Sequence, residues 1–407
     1  MKIKHLAMSA MFVSMIFLSG CWSNQELPDL AMVSAIGIDQ TENGKYAVTI
    51  QVINPGNVAG EGKQGAGGSE SPPVTTYTET GDNLVEISRK ASTKMSRQLY
   101  YAHANLIVIG EKLAKEEGVR KLFDALERDP EFRTTANIVI AHKSRASDIV
   151  DTLTSLDKIP SNKIIKTLKT TEKAWGEHLV VETREVLSKL VSPGQNPVIT
   201  SFGMVGDSGK GDTIESIQAT NPQSRLEANG LAVFKEGQMI EVMKGEAAKG
   251  LIWVLDKIQS TAVSVDWKEE KEAVVYQAVR QHTSVAADVQ DNTKMKVSVE
   301  VEAEGDIGEV QVPVDLKDPH IIMELEALAE KEIKKSIISS INQAKELQTD
   351  ILGFGEAVYR ANPDVWKEVK QDWDETYFPE IEVDVTVDAF IRRTGLRNEP
   401  FLSNLES

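Results

Sequence analysis

Lys294-Met295-Lys296-Val297-Ser298-Val299-Glu300-Val301-Glu302-Ala303-Glu304 reads as a strand with one wet face and one dry face. Val297, Val299, Val301 and Ala303 fall on one side, and Ser298, Glu300 and Glu302 on the other, the period of two that a half-buried strand requires. The same period recurs over Ala273 to Arg280, over Ser284 to Asp288, and in a closing run through Ile381, Val383, Val385, Val387, Ala389 and Ile391. Between them Asp318-Pro319 opens a segment reaching about Gln348. In it Ile322, Leu325, Leu328, Ile333, Ile337, Ile338 and Ile341 recur at helical spacing, the stripe of a helix lying on a sheet. Together these predict an α+β domain over residues 258–397, an antiparallel sheet with a long packed helix, followed by a tail at 398–407.

Working back, the two periods alternate. Ala31 to Asp39 and Lys45 to Ile53 read as strands joined at Asn43-Gly44, a hairpin turn signal. The second puts Tyr46, Val48, Ile50 and Val52 on one face and Thr49 and Gln51 on the other, so one buried face is expected. The Gly-, Ser- and Pro-rich run 54–73 reads as a mobile spacing loop, followed by a strand from Val74 to Thr80. Asp82 can cap a helix carrying Leu84, Ile87, Ala91 and Met95. Asn105 to Gly110 and Ile138 to Ala141 read as buried strands, with helices at Glu111 to Arg128, Ala146 to Leu156, Ser161 to Lys173 and Glu182 to Val191. Ser192-Pro193-Gly194-Gln195-Asn196-Pro197 is the clearest boundary signal. Beyond it, strands from Val198, Ala228 and Met239 predict a small β-rich middle domain at 198–257, with the Trp253 helix as hinge. The fold class is thus α+β, with three mixed domains at 21–197, 198–257 and 258–397.

Residues 1–20 differ from all of this. Lys2 and Lys4 precede an uncharged apolar stretch from Leu6 to Leu18, the plan of a secretory signal too short to span a bilayer. It ends in Leu18-Ser19-Gly20-Cys21, which resembles the bacterial lipobox, and Cys21 is the sole cysteine of the sequence. Its thiol is the nucleophile for a diacylglyceryl group, giving S-diacylglyceryl cysteine with a new α-amino group open to acylation. Two acyl chains suffice for stable anchoring, at about 0.8 kcal/mol per buried CH2. The formal charge is −17 over 407 residues. Such a balance opposes nucleic acid and broad contact with anionic lipid, so a lipid anchor rather than surface charge is expected to hold the protein at a membrane.

The search for chemistry yields no catalytic residue, metal or cofactor. His5, His103, His142, His178, His282 and His320 never fall within helical reach of one another, and no HExxH pattern appears. His103 beside Tyr100 and Tyr101 reads as a packed residue at a strand entrance, and Asp372 and Asp374 as decoration of a solvated face. Gly206-Asp207-Ser208-Gly209-Lys210-Gly211 fails as a nucleotide loop, since Met204 stands where the first glycine belongs and Gly211 where Ser or Thr is needed; it reads as a solvated loop.

An ordered set of residues nonetheless resembles the Ger(x)C lipoproteins, C subunits of bacterial spore nutrient-germinant receptors. It comprises Cys21-Trp22, Glu26-Leu27, Asp29-Leu30-Ala31, Val33-Ser34 and Ile36-Gly37-Ile38-Asp39; then His103, Ile109-Gly110-Glu111, Arg128, Phe132 and Arg133. Near the end come Asp350, Gly353-Phe354-Gly355, Pro363, Trp366, Trp373, Phe378 and Arg392-Arg393-Thr394-Gly395. The resemblance implies a three-domain, non-enzymatic lipoprotein on the outer face of the inner spore membrane. It would assemble there with A-type and B-type membrane-spanning subunits. Gly353-Phe354-Gly355 is expected to allow a close backbone approach that seats Trp366 and Trp373, read as core side chains rather than partner surface. The competing class is a solute-binding lipoprotein of a transporter, which the antiparallel closing strands disfavour.

Overall fold

In the computed structural model, which describes His5 and residues 27–58, 71–192, 194–206, 208–292 and 294–395, the first sheet grows outward from β1 (Leu30–Gln40). The Asn43-Gly44 turn, with Gly44 at φ +75°, returns β2 (Tyr46–Ile53) antiparallel, and β3 (Val74–Gly81) follows it at the edge. On its other side β1 runs parallel to the short β4 (Gln98–Tyr100) and to β5 (Leu106–Gly110). Beyond β5 lie β6 (Asn137–Ala141) and β7 (Val198–Gly206), both parallel, then β8 (Ser224–Lys235) and β9 (Gln238–Met243), both antiparallel. The order is β3-β2-β1-β5-β6-β7-β8-β9, with β4 beside β1. A parallel strand covered on both faces needs an unbroken apolar run, which is why Leu106 to Gly110 carries no alternation and is buried throughout.

Helices α1 (Leu84–Ala91), α2 (Glu111–Glu116) and α3 (Arg120–Glu127) put Ile87, Leu113, Leu122 and Phe123 into the larger core with Ile36, Ile38 and Ile107. On the opposite face α4 (Ala146–Asp151) and α5 (Pro160–Ala174) bury Ile149, Val150, Ile164 and Leu168 against Ala35, Val108 and Phe202. The sheet is therefore covered on both sides, and β2 differs from its expected single dry face. Gln51 and Thr49 are as buried as Ile50, because Gln51 is satisfied by Ser34 Oγ (2.7 Å) and by donating to Val150 O (2.6 Å). The helix expected over Glu111 to Arg128 breaks in two at Gly118, whose φ of +74° ends α2 while Val119 N donates to Gly237 O (2.8 Å). Asn83, not Asp82, caps α1, accepting from Glu86 N at 2.9 Å.

The stretch 198–257 supplies three strands to this same sheet, Ile140 and Ala141 of β6 pairing with Ser201 and Phe202 of β7. Its helix α7 (Gly245–Val254) follows α6 (Thr183–Val191) in the chain and places Trp253 in the core, where a hinge had been expected. The second sheet is β10 (Thr261–Trp267), β11 (Glu270–Asp291), β12 (Lys294–Val310) and β13 (Glu382–Arg393), in that order. The 22-residue β11 unites two stretches expected as separate strands. β10 to β12 form the antiparallel meander, whereas β13 runs parallel to β12 from Lys296↔Glu382 onward. The cause is the crossover. α8 (Pro319–Glu346), α9 (Phe354–Ala361) and α10 (Pro363–Val369) carry the chain back to the end of the sheet where β12 began. The long helix is capped by Asp318, which accepts from His320 N (2.9 Å), and it buries Leu325, Ile333, Ile337 and Ile341 in the same core.

Candidate functional site

The turn at 349–355, between α8 and α9, is where the two sheets are tied together. Asp350 is fully buried, and its carboxylate accepts from the backbone N–H of Leu352 (3.1 Å), Gly353 (2.8 Å), Phe354 (3.2 Å) and Gly355 (2.6 Å) and from the Trp373 indole Nε1–H (2.9 Å). Four successive amides can aim at one side chain because Gly353 takes φ +83°, a left-handed turn that glycine adopts without cost. Burial pushes the Asp350 carboxyl up to about 6, and the donors from Gly355 and Trp373 act in the opposite direction. A side chain at Gly355 would fall 2.7 Å from the Gly194 Cα and 2.8 Å from both Trp366 Cη2 and Trp373 Nε1. The expected backbone approach is thus real, and its second partner is Gly194, from the stretch that reads as a boundary in sequence.

The linker is part of this knot. Asn196 N donates to Asp350 O (2.7 Å), Asn196 Nδ2 to Asp374 Oδ2 (2.7 Å) and Asp350 N to Asp374 Oδ1 (2.8 Å), while Thr349 Oγ1 reaches Phe234 O of β8 (2.9 Å). Asp374 is therefore a bracing group rather than decoration of a solvated face, and burial raises its pKa. Trp366 and Trp373 are buried edge-to-face with centroids 5.3 Å apart, and Phe378 packs behind Trp373. A sequence signal for the knot did exist in the glycines at 353 and 355. Nothing in the sequence pointed to Gly194, Asn196 or Asp374.

A second set of quoted residues meets at the start of α4. The Asp39 carboxylate accepts from Ala146 N (2.8 Å) and Ser147 N (2.9 Å), holding the orphan donors of a helix start. Gly110 leaves room for that carboxylate, and Gly37 admits the Ala146 backbone, 3.1 Å from where a Cβ would stand. Glu111 accepts from Lys143 N (2.8 Å) and lies 3.1 Å from His142 Nδ1. His103 is exposed rather than packed, because a short 3-10 turn at Tyr101–His103 lifts it off the strand, with the Tyr100 ring edge-on to it. Arg128 forms a two-pronged pair with Asp124 (both 3.0 Å), Phe132 packs on the core, and Arg133 is exposed.

The histidines stay apart, and among the described residues no three His, Cys, Asp or Glu side chains are gathered to hold a metal ion. Gly211 is buried against Thr152, so that part of the expected solvated loop is packed. No described helix is long and apolar enough to cross a membrane. Cys21 and the Leu18–Cys21 motif lie outside the described residues.

Both halves match known families. Residues 23–204 match the spore germination protein N-terminal domain, and residues 229–395 match the C-terminal domain described as spore germination B3/GerAC-like. The chain is 45% identical over 391 residues, 96% of each chain, to spore germination protein KC of Bacillus subtilis (strain 168). The chain belongs to the Ger(x)C family of spore germination proteins. More distantly, the chain is 27% identical, over 94% of each chain, to putative spore germination protein YfkR of the same organism. The crystal structure of the GerBC protein shares the fold, with a TM-score of 0.55 and 19% identity over 88% of this chain and 96% of that one.

Proposed function

We propose that this Ger(x)C protein is a non-enzymatic, lipid-anchored subunit of a spore germinant receptor. In this reading Cys21 carries the diacylglyceryl group and holds the body at the outer face of the inner spore membrane. There it works by assembling with A-type and B-type membrane-spanning subunits. The observation that carries the reading is the match, over nearly the whole length, to a protein named for spore germination, in a chain whose single cysteine ends a lipobox-like signal. The physical arrangement supports it. Part of the family's motif set, Asp350, Gly353, Gly355 and Trp373 in the knot and Asp39, Gly37 and Gly110 at the start of α4, braces a scaffold. A chain this acidic, of formal charge −17 over the full sequence, needs such an anchor to stay on an anionic membrane.

The test is co-purification from spore membranes. Recovery of both membrane-spanning subunits with the wild-type protein, and transfer of Cys21→Ala to the soluble fraction with an impaired nutrient response, is the expected result. Consistent absence of the partners would defeat the assembly claim, and unchanged membrane fractionation of the variant would defeat the anchoring claim.

A further inference from the structure

Two cavities adjoin on the first sheet. The larger, of about 490 Å3, lies between β1 and β2 on one side and α1 and α3 on the other, within the roughly 300–1,000 Å3 of small-molecule sites. Its walls are apolar, with Ile36, Ile38, Val48 and Ile50 from the strands and Leu84 and Leu126 from the helices. Val85, 66% exposed, also lines it, so the cavity opens to water. Its charged lining is balanced, Arg89 and Arg128 against Asp129 and Glu131, and selects no sign of charge. The smaller cavity, of about 190 Å3, is lined by His103, Asn105 and Arg133, with no acid. The two meet along the chain, for Tyr101 and Phe132 line the first and their successors Ala102 and Arg133 the second. Among the described residues the side chains of His103 and Arg133 have no hydrogen-bonded or ionic partner, and Asn105 Oδ1 is buried without one. Both cavities lie toward the entry of the chain. Leu30 pairs with Gln98, which lines the larger one, and Asn105 N donates to Ser34 O (3.1 Å). Cys21 stands six residues before Leu27, a reach of about 20 Å at full extension.

We propose that the two cavities together hold one anionic phosphoglyceride of the membrane, with an acyl chain in the larger and the phosphate against His103 and Arg133. Asn105 Oδ1 then accepts from a headgroup hydroxyl, which makes a phosphoglycerol headgroup the best match. Donors without an acid select a phosphate and leave the ammonium of a zwitterionic headgroup unanswered. The thioether-linked anchor expected at Cys21 carries no phosphate, so a separate lipid fits these donors better than the protein's own acyl chains. A chain gains little on leaving a bilayer for an equally apolar cavity, so the headgroup contacts decide which lipid is taken. One such contact is local, and differs from the broad attraction to anionic lipid that a charge of −17 opposes. The inference rests on the anchored reading only for the source of the lipid, since an anchor within reach of both cavities keeps them at the membrane surface.

The test uses the unlipidated mature chain, residues 21–407, titrated by calorimetry with lysophosphatidylglycerol below its critical micelle concentration. Binding with a raised melting temperature is expected. Removing two methylenes from the acyl chain should weaken it about ten-fold, and lysophosphatidylcholine of equal chain length should bind about ten-fold more weakly or worse. Glycerophosphoglycerol, the headgroup alone, and inorganic phosphate should not bind at millimolar concentration. Arg133→Gln should weaken the lipid about ten-fold and leave the ligand-free melting temperature unchanged, because Arg133 is exposed and unpaired. Val85→Asp, which sets a negative charge on the exposed wall of the larger cavity, should do the same. Absence of binding, indifference to chain length, equal affinity for the choline lipid, a headgroup or phosphate that binds as well alone, or a folded variant with unaltered affinity each overturns the proposal. The titrated chain carries no lipid on Cys21, so failure here leaves the anchoring claim standing, and loss of that claim in fractionation would not alter the titration.

Discussion

His178 is held neutral by its position. It is buried, its Nε2 accepts the Gly230 N–H at 3.2 Å, and Gly230 sits at φ +82° where a side chain would collide with Met243 O. Burial alone pushes its pKa down to about 4 from an ordinary value of 6.5. In the unfolded chain the imidazole takes up a proton below about 6.5, whereas in the folded protein it resists until about 4. The folded state therefore binds fewer protons in that window. The His178 contribution to stability is complete above pH 6.5 and lost as pH falls through 4, a total of about 3 kcal/mol. The melting temperature should fall as pH is lowered across this range. His178→Gln, which can still accept from Gly230, should flatten that slope at a cost of about 1 kcal/mol at pH 7. An unchanged slope in the variant would show that other groups carry it. Asp350 makes the complementary case, a buried acid ringed by donors. The sequence could mark Asp350 and its glycines, but not which amides would turn toward it, because that depends on a left-handed Gly353 and on a distant stretch of chain at Gly194 and Asn196.

Between elements, α7 packs closely on α8. Gly250 sits within α7, where glycine is about 1 kcal/mol worse than alanine. It is there because a Cβ would land on the Ser336 carbonyl of α8, and Ser336 Oγ in turn donates to Glu246 of α7. Gly250→Ala should gain the propensity and lose more to overpacking, for a net destabilisation of about 2 kcal/mol seen as a lower melting temperature. A neutral result would mean that the helices part easily. Patterns of one element were legible from their own residues, as the dry face Val297-Val299-Val301 and the stripe Leu325-Ile333-Ile337 show. Direction was not. Period two is the same in parallel and antiparallel strands, so Val385 and Val387 could not reveal that β13 returns parallel to β12. Helical spacing likewise runs unbroken through Gly118, because the break comes from the Gly237 carbonyl on a distant turn that receives Val119 N.

At the scale of the molecule, the Pro- and Gly-rich stretch 192–197 looked like a boundary because its composition breaks local structure. Composition reports only the local chain, and here Gly194 and Asn196 are pinned to Gly355 and Asp350 while Val198, two residues after Asn196, starts β7 in mid-sheet. A fragment of residues 27–197 would leave the β6 edge open at Ile140 and Ala141 and strip cover from the larger core. Leu231, Val233, Phe234, Met243, Leu251 and Trp253 all belong to that core and all lie beyond residue 197. Burying a large apolar side chain is worth about 1.5–3 kcal/mol. Six such losses reach roughly 9–18 kcal/mol, comparable with or above the whole stability of an ordinary domain, about 5–15 kcal/mol. The fragment should therefore aggregate or lack a cooperative melt, while residues 27–395 unfold in one calorimetric transition whose van't Hoff and calorimetric enthalpies agree. A soluble 27–197 fragment with its own sharp transition would show that the first sheet is stable without β7 to β9, and that the joint at the Asp350 knot is free to flex.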